Sequence, residues 1–258
     1  MKKLNSYFYQ VYLPIQVVSV LALLSVYYGY ATINWLMVFV AWFLIGPVGV
    51  GVGFHRLFSH RQFQTWRPVE IILAVLGTLS TYGPVMYWVS EHQHHHKHVD
   101  TDKDINNPKF GFWHSFLYWR FTTDAQNYIL MKDRNVIIAA HDPVLRFLSK
   151  NFVSIVYLFM VIAFAFGLSV FVSVFVLPIL IEQLRINILN SVAHIKIPGS
   201  YQNFTDKDSS YNHVLLGYLT FGFGWHNNHH YNPRELVNSH RWYEIDVEGL
   251  IGKLLTKR

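Results

Sequence analysis

Fifteen histidines and no cysteine are spread over 258 residues, and most of the histidines fall into spaced clusters. His55 and His60 bracket four residues in FHRLFSH, five histidines crowd between His92 and His98 in EHQHHHKH, His194 closes NSVAH, and His226, His229 and His230 form HNNHH. Positions i, i+3 and i+4 share one face of a helix, so the HNNHH histidines can address one point. EHQHHHKH can be parsed as His92, His95 and His96, or in mirror order as His94, His95 and His98. HNNHH repeats the first spacing where no surplus histidine confuses it, which favours His92, His95 and His96 and leaves His94 and His98 on the surface. Without thiolates, metal chemistry falls to imidazole and carboxylate. Two histidines from the first box, three from each HxxHH and His194 make nine imidazoles, more than one ion can use. Two ions with four or five nitrogen ligands each can use them, and imidazole suits iron, zinc or copper alike. The isolated His114, His141, His213 and His240 read as hydrogen-bonding or interfacial residues.

The elements that must position these clusters are apolar. Hydrophobic residues make up 52% of the chain and charged residues only 14%, about half the charged share of a soluble domain. The net charge of +6 would suggest a nucleic-acid partner if it were evenly spread, but it is not. No charged residue occurs in 8–30, 32–54 or 152–181, so these read as membrane segments and nucleic acid is excluded as a partner. The expected architecture is an all-α integral membrane protein of four transmembrane helices in two hairpins, at 8–30, 32–54, 152–167 and 169–190. Lys2 and Lys3, eleven basic residues from Arg56 to Lys150 and eight from Arg185 onward all lie outside the two hairpin loops. Basic loops stay on the cytoplasmic side. Both termini and a helical cap, 55–151 and 191–258, are therefore expected there, in one domain spanning 1–258. The start, MKKLNSYFYQ, lacks a small-residue cleavage pattern and reads as an uncleaved lead into the first span. The apolar 66–90 stretch reads as a helix lying in the membrane surface, because Glu70 sits one turn in and Gly83-Pro84 breaks it. Nearly every histidine cluster then falls just past the end of an apolar segment, in one layer.

In HRLFSH, EHQHHH, NSVAH and GWHNNHH, taken in this order with these spans, the chain resembles the membrane fatty-acid desaturases. The likeness is to the stearoyl-CoA desaturase branch and its bacterial acyl-lipid and acyl-CoA delta-9 relatives, and it runs from the first span to about Asp246. The resemblance implies two iron ions that activate O2 and place a cis double bond, at delta-9, in a long-chain acyl substrate carried on CoA, lipid or carrier protein. It also implies electrons from a separate donor of ferredoxin or cytochrome b5 type. Carried over by position, it puts His55, His60, His92, His96 and His229 on one iron and His95, His194, His226 and His230 on the other, with Asn190 contacting the second through water. Neutral ligands keep the irons electron-poor, and carboxylates orient the rings by accepting the far N–H; Glu91, Asp100, Asp104 and Asp208 are the candidates.

This chain departs from the family in two places. Gly222-Phe223-Gly224 stands where relatives show Gly-Glu-Gly, so an acidic side chain is missing. Ser90-Glu91 precedes the second box where animal acyl-CoA enzymes carry a basic residue and an aspartate, which is closer to the bacterial pattern. Trp88, Tyr87, Trp42 and Phe43 are expected along an acyl tunnel, and Lys97, Lys103, Lys109 and Arg120 as attractors of an anionic head group. Two other readings compete: a membrane di-iron hydroxylase of alkane, sterol or carotenoid, and a histidine-rich metal transporter, whose ligands would sit nearer the bilayer midplane.

Overall fold

The charge-free stretches form long helices in the computed structural model of the chain, which describes residues 4–122, 134–205 and 207–257. In chain order the helices are α1 (Phe8–Tyr27), α2 (Trp35–Ser59), α3 (Arg67–Leu79), α4 (Val85–His98), α5 (Trp119–Thr122), α6 (Arg134–His141), α7 (Pro143–Lys150), α8 (Phe152–Ala165), α9 (Leu168–Val192), α10 (Val214–Leu219), α11 (His226–Tyr231) and α12 (Val247–Leu255). Two short strands, β1 (Ser200–Tyr201) and β2 (Asn212–His213), pair antiparallel between α9 and α10. The protein is therefore mostly helical, as expected.

Among the described residues three helices are long and apolar enough to cross a membrane: α1 with 20 residues, α2 with 25 and α9 with 25. The stretch expected as a span at 152–167 is the 14-residue α8, about 21 Å long, which falls short of the roughly 30 Å hydrocarbon layer. It becomes long enough only with α7, from which it is bent by 70°. The apolar 66–90 stretch divides in two. Thr81 and Gly83 both take positive φ, 61° and 123°, and the chain turns there before Pro84, so α4 begins anew and carries the second histidine box on its last turns.

The lower half of α2 explains the HxxxxH spacing. From Leu44 to Ser59 this helix widens to π geometry, and the pattern persists at its end, where the His60 amide donates to the His55 carbonyl at 3.1 Å. With i→i+5 hydrogen bonds, residues five apart follow one another on the same face, so His55 and His60 project together where an ordinary helix would splay them. The widened segment packs against α3 backbone to backbone. A Cβ on Gly49 would lie 2.5 Å from the Gly77 nitrogen, and one on Gly77 would lie 2.8 Å from the Gly49 carbonyl, so only glycine permits this approach.

One buried layer of charge ties α12 beneath the histidines. Arg185 of α9 donates to both oxygens of Glu182 at 2.8 and 2.9 Å and to Glu248 of α12 at 2.8 Å. Next to it Arg56, the residue after His55, donates to both oxygens of Asp246 at 2.9 Å. All five side chains are buried.

Candidate metal centre

Two helices of like sequence face each other across the site and divide their histidines in opposite ways. His92 and His96, one turn apart on α4, join His55 and His60 of the α2 end and His229 of α11; one nitrogen from each of these five lies within 4.8 Å of the others. His226 and His230, one turn apart on α11, join His194 just past α9 and His95 of α4 under the same limit. Each HxxHH thus gives its i, i+4 pair to one group and its remaining histidine to the other. The two asparagines of HNNHH point away and lock α11. Asn228 accepts from Asn212 at 2.8 Å and donates to Glu244 at 2.9 Å, while the Asn227 side chain accepts from the Asn203 amide at 2.9 Å.

The Nε2 atoms converge. His55 and His229 bring theirs to 3.0 Å, His60 and His92 to 2.7 Å, His229 and His96 to 3.0 Å, and His226 and His194 to 3.0 Å. Two ligands about 2.1 Å from one ion and at right angles to each other would be about 3.0 Å apart. Converging lone pairs fit a cation, and His230 presents a buried Nε2 with no protein partner. The rings are also held neutral, the form that binds metal. Burial and Arg56 push His60 down to about 3, burial and His95 push His194 down to about 4, and burial holds His92, His96, His226, His229 and His230 well below the usual imidazole range. His95 differs: burial opposes its charge, but Asp104, joined by Asp208 and Asp100, raises it.

Of the four candidate carboxylates, the structure aims two at ring nitrogens. Asp104 accepts from His95 Nδ1 and Asp208 from His230 Nδ1, both at 2.9 Å. Asp100 acts one step further out, accepting from the Ser209 amide at 2.6 Å and so pinning the loop that carries Asp208. Glu91 faces Tyr87 rather than a histidine ring, and burial pushes its carboxyl up to about 7. Both carboxylate-to-ring bonds belong to the group of four. In the group of five, His55 and His229 bury Nδ1 atoms without partners. Phe223, in the Gly222-Phe223-Gly224 stretch, stacks on the His55 ring at 4.5 Å, so packing holds that ring. Partners that orient a metal-bound histidine are worth about 10–100-fold in affinity. Asp104→Asn and Asp208→Asn are each expected to weaken one of two cobalt-binding steps by about that factor, read by titrating metal-free protein with Co2+. Unchanged titrations would mark these bonds as incidental.

Beside the histidines lies a small cavity of about 40 Å³ bordered by Trp88, Asn190, Phe223, His92 and His226 among others. At that size it is too small for an acyl chain. Asn190 donates weakly to the Tyr82 hydroxyl at 3.4 Å. Trp88 stacks on His92 at 4.8 Å, whereas Tyr87 and Trp42 do not border this cavity. Trp42 donates instead to Glu182 at 3.2 Å. Arg120 is not an exposed attractor of head groups: it is buried, donates to the Tyr82 carbonyl and the Tyr7 hydroxyl, and lies 3.4 Å over the Tyr82 ring. His94 bonds the Lys103 carbonyl and packs on His98, and neither belongs to a histidine group. His114, His141 and His213 bond backbone carbonyls, and His240 pairs with Glu235.

Comparison with known proteins points the same way. The family model described as fatty acid desaturase matches residues 33–246. The sn-1 stearoyl-lipid 9-desaturase of Anabaena variabilis is 33% identical over 86% of this chain and 81% of its own length. The enzyme of the same name from Synechocystis sp. is 31% identical over 94% and 74%. A probable acyl-CoA desaturase of Schizosaccharomyces pombe is 30% identical over 80% of this chain but only 44% of its own length.

Proposed function

Since the chain belongs to the fatty acid desaturase family and is thereby an oxidoreductase, we propose that it is an O2-dependent fatty acyl desaturase that forms a cis double bond at delta-9 of a long acyl chain carried on membrane lipid. The observation that carries this reading is the pair of converging imidazole groups, five and four strong. They suit two iron ions, with His55, His60, His92, His96 and His229 on one and His95, His194, His226 and His230 on the other, and Asn190 reaching the second through water. Iron held there would supply O2 activation and removal of hydrogen from an unactivated methylene. Balanced over a turnover, CH2–CH2 and O2 with two electrons and two protons give CH=CH and two waters.

The protein's own residues set the conditions for that chemistry. Imidazole ligands bring no negative charge, so ions bound to them stay strongly electron-accepting. Asp104 and Asp208 fix the tautomers of His95 and His230, leaving Nε2 free to ligate. Trp88, packed on His92, walls the reacting space with apolar surface, and Glu91 can hold a proton at its edge. The lipid carrier is supported by the names of the cyanobacterial relatives, which act on stearoyl-lipid, and by Ser90-Glu91. The proposed placement is four spans, α1, α2, the bent pair α7–α8, and α9, with the two hairpin loops on one side and the remaining segments forming a cytoplasmic cap on the side of both termini. A separate one-electron donor completes the system.

Expression in a host of defined lipid profile, followed by double-bond mapping of its acyl chains, tests this reading. The expected product is a new delta-9 cis alkene in lipid-bound acyl chains. An oxygenated product without alkene would replace desaturation by hydroxylation.

A further inference from the structure

A cleft of about 540 Å³ borders the histidine site, lined by Arg61, Arg134 and Arg234 together with His60. The three arginines come from the loop after α2, the start of α6 and the loop after α11, so the fold gathers them from distant points in the sequence. All three are exposed, and among the described residues none of them forms an ion pair. Among the described residues no carboxylate lines the cleft. Like charges brought together in this way repel one another and create a field that draws in an anionic partner. The backbone gives a second sign of specialisation: Arg61 sits at φ 52°, in the left-handed region that costs a side-chain-bearing residue energy.

The histidine that lines the cleft decides the kind of partner. The His60 ring centre is 4.7 Å from those of His92, His96 and His229 and 4.9 Å from that of His55. A redox group seated in the cleft is therefore one imidazole away from the whole group of five. The cleft and the small cavity by Trp88 and Asn190 have no lining residue in common.

Resting on the desaturase reading, we propose that the arginine cleft is the docking site of an acidic one-electron carrier protein, which delivers electrons through His60. Each turnover oxidises two equivalents of reduced carrier by one electron each. The acyl chain gives the other two of the four electrons that reduce O2 to two waters, and the protons are balanced as above.

Stopped-flow reduction of the iron-loaded ferric protein by reduced cytochrome b5 and by a reduced plant-type ferredoxin tests the proposal. The second-order rate constant is expected to fall with ionic strength for at least one carrier. Arg134→Glu with Arg234→Glu is expected to lower it at least about tenfold at low salt and to flatten the salt dependence. Iron content per chain, measured alongside, establishes that the double variant is folded. The proposal is overturned by a salt-independent rate, by an unchanged rate in the double variant, or by a defect confined to saturation with the acyl substrate, which would make the cleft a head-group site. It is also overturned if an uncharged mediator reduces the unaltered protein but neither carrier does. Failure of the desaturase reading is distinguished by the unaltered protein itself: reduced by the mediator and given O2 and acyl lipid, it would form no alkene.

Discussion

His95→Ala is expected to reduce desaturation by more than about 100-fold and to lower the metal content from two ions per chain towards one. The physical case rests on His95 being the α4 histidine that crosses to the group of four. Without it three imidazoles remain there, and Asp104, buried and bonded to the His95 ring at 2.9 Å, faces a void. Loss of a partner that only orients a ligand costs about 10–100-fold in affinity, so loss of the ligand itself costs more. His96→Ala is expected to act equally strongly through the group of five. His98→Ala, which alters a ring packed on His94 outside both groups, is expected to stay within about twofold of the unaltered activity. The measurements are iron per purified chain and alkene formed in the host's lipids. Full activity in His96→Ala, with loss in His98→Ala, would reverse the parsing of EHQHHHKH and break its analogy with HNNHH.

How much of this could be read from the residues depended on whether the determining contact was local. The long helices were legible because 8–30 and 32–54 carry no charge, and the nine candidate histidines because type and spacing repeat in two boxes, while their division into five and four came from the family resemblance. The HxxxxH box was recognised but not explained, since its geometry needs the π-wide turn of α2, and helical periodicity alone places residues five apart on different faces. Asp104 and Asp208 could not be ranked above Asp100 and Glu91, because their bonds to His95 and His230 depend on the path of two loops that the sequence does not specify. Arg120 was misread for a related reason: in the chain it is one basic residue among several, and only tertiary packing reveals the Tyr82 ring beneath it. The charged layer under the site escaped notice altogether. Arg56 meets Asp246 and Arg185 meets Glu248 only in the folded chain, 190 and 63 positions apart. The i, i+3 spacing of Glu182 and Arg185 beside a long apolar run was the one available hint that they pair with each other rather than with solvent.

That layer carries the second large effect. Arg185→Met is expected to destabilise the fold by about 3–5 kcal/mol, because it leaves two carboxylates buried without their counter-charge. Glu182 and Glu248 are both fully buried, and Arg185 bonds each at 2.8 Å. Neither carboxylate has water to turn to, and the remaining cation, Arg56, already holds Asp246 with both donors of one amino group and reaches Glu248 only at 3.8 Å. For a chain of this size the loss corresponds to a fall in melting temperature on the order of 10 °C, read by thermal unfolding in detergent. The consequence should extend to the metal centre. Arg56 follows His55 directly, so loosening α12 removes the support beneath one ring of the group of five, and iron content should fall with stability. Uncompensated charge and lost packing make different predictions for a second substitution. If charge is the cause, adding Glu248→Gln to Arg185→Met removes one of the stranded carboxylates and recovers a measurable part of the melting temperature. If packing is the cause, the double variant is no more stable than the single one, and the buried ion pairs are then spacers that hydrophobic side chains of the same volume could replace.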